Sequence, residues 1–228
     1  GLGIHWPSAI SEDANALTAG LQPLTYFNRS KMADQVGAEG TYALIRLILE
    51  ARRDAGLAPP RFHLAGHSFG CKVVCSALQK LALTFEGTGV LDDVRLDAVL
   101  IQGAFDHDAL EPGKAYGKLL STLPKLRLLV TRSDLDTAVG VDYVLVQRVM
   151  NLFLKTPTPG IGAEGPSAAT VAEAGGQAKL TVVPNFDVPK PASFDQRLTV
   201  ADLTPLHAAH PENSAKGGGH HSDVFYKE

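Results

Sequence analysis

The sequence predicts an α/β protein: a mostly parallel sheet with helices on both faces, in a single domain spanning residues 1–228. Two observations predict it. Short apolar runs bounded by turn residues alternate with segments of helical periodicity, and no internal repeat is visible. A Gly-x-Ser-x-Gly turn joins one of those strands directly to one of those helices. Composition agrees. The 228 residues are 45% hydrophobic and 20% charged, which suffices for one core. With a net charge of -3 and 7% aromatic residues there is no strong basic balance, so nucleic acid is not the expected partner. Two cysteines exclude a disulfide scaffold, and no apolar run approaches the ~18 residues of a membrane span.

The chain opens on the apolar run Gly1-Leu2-Gly3-Ile4 with no charged leader before it. Residues 1–7 read as the end of a buried strand running into Trp6-Pro7. A mixed, irregular stretch follows to about residue 32. Residues 33–55 read as a helix, because Val36, Tyr42 or Ala43, Leu44, Leu47, Ile48 and Ala51 recur at three- and four-residue spacing. Gly56 and Pro59-Pro60 end it. Residues 61–66 form a short strand closed by a tight turn, and residues 71–83 a second helix with Val74, Ala77, Leu78 and Leu81 on one face.

A further strand is expected at 96–101, followed by Gly103-Ala104-Phe105-Asp106-His107-Asp108. Pro124 announces a strand at 126–131, which ends in the polar turn Arg132-Ser133-Asp134. Residues 142–155 read as helical. In residues 156–177, 13 of 22 are Gly, Pro or Ala, which predicts a long mobile loop, either a lid over the pocket or an idle surface excursion. Strands are expected at 180–183 and 198–203. The tail is polar, with Gly217-Gly218-Gly219 ahead of His220-His221.

In parallel sheets chemistry gathers at the carboxyl ends of the strands. That singles out Ser68, Asp106 to Asp108, Asp134 to Asp136 and the tail beyond residue 203. Gly66-His67-Ser68-Phe69-Gly70 arises by chance in roughly one chain in ten of this composition. Its context, with a strand ending at it and an amphipathic helix starting from it, makes it a nucleophile elbow. Glycines at 66 and 70 are expected because side chains there collide around the tight turn. The turn lifts the Ser68 hydroxyl off the sheet and sets it at a helix N-terminus, where the Phe69 backbone N–H is the candidate oxyanion donor.

A serine hydroxyl needs a base, and the base an orienting acid. Around such an elbow the order along the chain is Ser, acid, His. Of the eight histidines, His5, His63 and His67 precede or abut the serine, and His107 precedes the best acid. Among His207, His210, His220 and His221, the glycines before the pair favour His221, with His220 and His207 as alternatives. For the acid, Asp134 is favoured because it lies in the first turn after its strand. Asp136 comes next, then Asp106 and Asp108.

The elbow resembles that of the α/β-hydrolase superfamily. Trp6-Pro7-Ser8, Thr131-Arg132-Ser133-Asp134 and His221-Ser222-Asp223-Val224-Phe225 are similar to a bacterial serine-hydrolase branch of it. The resemblance implies an esterase, lipase or related acyl hydrolase with a Ser68, Asp134, His221 triad. It implies a small acyl ester as substrate and neither metal nor organic cofactor. The family has several strands before its elbow and a second oxyanion donor on a loop among them. Here about 60 residues precede Gly66, which predicts a chain lacking its N-terminal strands.

Other readings follow from particular residues. His207, His210, His220 and His221, with Glu212 and Asp223, are zinc-ligand types, but two sit in a proline-containing loop and no His-Glu-x-x-His occurs, so no metal is expected. A hydrolase fold that only binds its ligand, and an acyltransferase, remain alternatives to hydrolysis. Cys71 and Cys75 read as buried small hydrophobes whose reduced state fits a cytoplasmic protein.

Overall fold

Among the described residues, five strands build one sheet in which every neighbouring pair runs parallel, in the order β1-β2-β3-β5-β4. They are β1 (Arg61–His67), β2 (Arg95–Ile101), β3 (Leu126–Arg132), β4 (Ala178–Thr181) and β5 (Leu198–Asp202). The helices are α1 (Gln22–Gln35), α2 (Tyr42–Asp54), α3 (Phe69–Phe85), α4 (Leu119–Thr122), α5 (Tyr143–Met150), α6 (Ile161–Glu164), α7 (Ala168–Glu173) and α8 (Thr204–Ala209). This structure is a computed structural model, and it describes residues 1–4, 22–150, 157–181, 196–210 and 220–221. The α/β class with a parallel sheet is as the alternation of patterns predicts.

The core sits between the sheet and α3. Alternate strand residues, including Leu96, Ala98 and Leu100 on β2 and Leu126, Leu128 and Val130 on β3, are buried on one face with Leu198 and Val200 of β5. Against them lie Val74, Ala77, Leu78 and Leu81, the predicted apolar face of α3. This helix is also buried on its other side, at Val73 and Ser76, because α1, α2 and the π-turn joining them lie over it. At β5 both faces are covered, since Leu198, Thr199, Val200 and Ala201 are all buried and Ala201 packs with Leu203 and Leu206. At β1 the second face is open: Arg61, His63 and Ala65 are exposed. There Asp97 of β2 pairs with Arg61 and Arg127.

Several sequence expectations change. The helix expected over 33–55 begins eleven residues earlier and is interrupted by a π-turn, Val36–Thr41. Its first part lacks a clear apolar period, and hydrogen bonds fasten its last turns. Asp34 accepts from Ser76 and from Tyr116, both at 2.6 Å, and Lys72 bridges Asp34 and Ser30. The strand expected over 1–7 is irregular and exposed at residues 1–4, and residues 5–7 lie outside the described residues. The helix expected over 142–155 is α5, preceded by a π-turn, Ala138–Asp142; residues 151–156 lie outside the description.

The largest change concerns the expected mobile lid. Its described part, residues 157–177, is two short helices set into the sheet's carboxyl edge. Ile161 is fully buried in the main core, and Thr170 is fully buried too. Backbone bonds run from Ile161 N–H to Phe105, from Gly162 N–H to Gly103, and from Ser133 N–H to Gly162. The segment therefore stitches the loop after β2 to the loop after β3. Small residues serve close packing here: a Cβ on Gly162 would lie 2.8 Å from Gln102 Cα.

Candidate active site

At the end of β1, Ser68 adopts φ 55°, ψ -121°, one of two non-glycine residues with positive φ among those described. Such backbone costs on the order of 1–3 kcal/mol and persists only where surrounding bonds impose it. They do. Ser68 N–H donates to Ile101 at 3.0 Å, and its carbonyl accepts from Cys71 N–H at 3.1 Å and Ala104 N–H at 3.2 Å. Phe69 opens α3, which sets its backbone N–H at the helix N-terminus. Gly66 is required, since a Cβ there would overlap the Gly70 carbonyl and sit 2.6 Å from Cys71 N. Gly70 is not: a Cβ on it meets nothing within 4 Å. The close approach is one-sided because only the Gly66 Cβ direction points into the first turn of α3. Beneath the turn the Cys71 thiol donates to the Gly66 carbonyl at 3.0 Å. Burial pushes both thiols up, so Cys71 and Cys75 stay protonated.

The structure pairs His221 with Asp136, not with Asp134. His221 Nδ1–H donates to Asp136 Oδ2 at 2.8 Å, which leaves Nε2 as the basic nitrogen. The Asp136 side chain is fully buried, and its Oδ1 accepts from Val139 N–H at 3.1 Å. Asp134 is corrected out of this pair. Its side chain is 64% exposed and is held by Arg132 at 2.8 Å, a guanidinium that also grips Asp202. Burial pushes Asp202 up, but hydrogen bonds from Thr204 and Arg132 outweigh it and keep its carboxyl below the usual range. The turn after β3 thus sends one carboxylate to solvent and the next but one inward.

His67, next to the serine, meets His221 with ring centroids 4.8 Å apart and donates Nε2–H to the His221 carbonyl at 2.7 Å. That contact brings the Ser68 turn and the His221 loop together, although no hydrogen bond joins Ser68 Oγ to a described residue. Burial lowers the His67 pKa below the usual histidine value, against the opposing pull of that hydrogen bond, so the ring is neutral at pH 7. The alternatives His207 and His220 are buried beside the pair as supports. Their rings stack at 5.0 Å and 11°, and His207 Nδ1 is hydrogen-bonded to Ser133 Oγ at 2.8 Å. Asp106 is occupied by Tyr143 and Gln147, and Asp108 by Lys114. Among the described residues no three His, Cys, Asp or Glu side chains form a metal-holding group. Glu212 and Asp223 lie outside the described residues.

One residue absent from the sequence-based candidates sits at the centre. Gln102, just past β2, is fully buried with φ 46°. Its Nε2 reaches Asp136 Oδ2 at 3.0 Å and the His220 carbonyl at 3.1 Å. The only available signal was its place after a strand, beside the glycine and acids that drew notice instead.

No family model matches the chain, and no curated protein or solved structure matches it. No helix among the described residues is long and apolar enough to cross a membrane.

Proposed function

We propose that the chain is a serine hydrolase of the α/β-hydrolase type, cleaving carboxylic esters with Ser68 as nucleophile, His221 as base and Asp136 as orienting acid. The observation that carries the reading is the 2.8 Å pair of His221 Nδ1 with a fully buried carboxylate, set at the strand end next to a strained Ser68. In this reading the Ser68 hydroxyl attacks the ester carbonyl while His221 Nε2 takes its proton. Asp136 keeps the Nδ1–H tautomer and stabilises the imidazolium. The N–H of Phe69 faces the developing oxyanion at the start of α3. The imidazolium then returns the proton to the leaving alcohol, and water repeats the sequence on the acyl-enzyme. A cytoplasmic location belongs to the same proposal, supported by two buried, unbridged cysteines.

The test is covalent labelling by a fluorophosphonate probe together with turnover of a p-nitrophenyl acyl ester. Labelling of wild type and none of Ser68→Ala is expected, with turnover falling on the order of 10⁴- to 10⁶-fold. Turnover in Ser68→Ala within tenfold of wild type sinks the reading. An unlabelled, correctly folded wild type would favour a binding module instead.

A further inference from the structure

We propose that Gln102 is a positioning residue that locks the acid and the loop of the base into one frame; the inference rests on the reading of Asp136 and His221 as acid and base. Both partners of Nε2 are acceptors, a carboxylate oxygen and a backbone carbonyl. The amide orientation is therefore dictated: the NH₂ end must face them. It keeps that orientation although its own Oε1 is buried with no hydrogen-bond partner among the described residues. A glutamine with nothing to position would turn or expose that oxygen.

The two bonds act on different parts of the site. One N–H shares Asp136 Oδ2 with His221 Nδ1–H, while Val139 N–H holds Oδ1, so both carboxylate oxygens are fixed and its plane cannot rotate. The other N–H holds the carbonyl of His220, the residue before the base. Acid and base come from loops 85 residues apart in sequence, and one side chain ties both. Gln102 is itself over-determined. Its backbone N–H donates to Thr131 Oγ1 at 2.9 Å, and Gly162 packs against its Cα so closely that a side chain there has no room. Its left-handed φ turns the side chain from the end of β2 toward the end of β3.

The test uses the full chain with histidine and glutamine labelled with ¹⁵N. In wild type, a downfield His221 Nδ1–H resonance, absent in His221→Gln, should show a nuclear Overhauser contact with solvent-protected Gln102 side-chain amide protons. Gln102→Met keeps the volume and removes both donors; Gln102→Glu keeps the shape and replaces the donor by an acceptor. Both should lose or exchange-broaden the downfield resonance below the unfolding temperature. A misplaced pair should lower kcat about 10- to 100-fold with KM within about threefold. Rapidly exchanging Gln102 amide protons in wild type, or an unchanged downfield resonance in a folded variant, overturns the inference. The resonance does not depend on turnover. A silent enzyme with the coupled signals removes the hydrolase reading alone, and a labelled Ser68 with unaltered kcat in Gln102→Met removes the positioning role alone.

Discussion

His221 Nδ1 lies 2.8 Å from Asp136 Oδ2, whereas Asp134, two residues earlier, is held by Arg132 on the surface. Asp136→Asn should lower kcat about 10³- to 10⁴-fold, because an amide stabilises the wrong imidazole tautomer. Asp134→Asn should stay within about threefold, since a surface ion pair contributes little. Steady-state kinetics on one activated ester decides it, and a dead Asp134→Asn with an active Asp136→Asn would reverse the assignment.

The two glycines of the elbow should separate. Gly66→Ala drives a Cβ into the backbone of Gly70 and Cys71 and should destabilise by about 1–3 kcal/mol. Gly70→Ala meets open space in the first turn of α3 and should be neutral or gain up to about 1 kcal/mol from helix propensity. Urea unfolding of both proteins measures this; equal losses would contradict the one-sided packing.

The Gly-, Pro- and Ala-rich segment should behave as core. Ile161→Ala should cost about 2–5 kcal/mol, as for other fully buried branched side chains. Replacing residues 161–174 by a Gly-Ser linker should lower the urea midpoint sharply. If stability held and only the preference between short and long acyl esters changed, the segment would be a cover after all.

Asp97 gives the fold a pH signature. Burial pushes its carboxyl up, but the guanidiniums of Arg127 and Arg61 outweigh burial and hold it below the usual carboxylate range. A depressed folded value adds stability above the unfolded value, near 3.9, which is lost as pH falls through the folded one. Asp97→Asn should therefore be less stable than wild type at about pH 7, with the gap narrowing toward about pH 2.5. A gap independent of pH would show that the loss comes from packing.

The sequence by itself determined the parts of this protein that rest on local chemistry. The strand, turn and helix from Arg61 to Phe85 follow from an apolar run, an obligatory glycine at 66 and a three- and four-residue apolar period, all within 25 residues. The strands at β2, β3 and β5 follow likewise, and with them the rule that Ser68, the acid turn and the last histidines meet at one edge. Tertiary structure decided the rest. Asp134 and Asp136 share one turn, where local pattern favours the first; Arg132, reaching to Asp202 on another strand, draws the first outward while His221 and Gln102 bind the second. The end of α1 is fastened where it lies because Asp34 finds Ser76 and Tyr116, 42 and 82 residues away. Gly160 to Ala163, Ser167 and Thr170 are buried because this segment fits between two loops that composition alone does not bring together. These outcomes depend on which groups are left to pair once the sheet has formed, and sequence spacing does not record those distances.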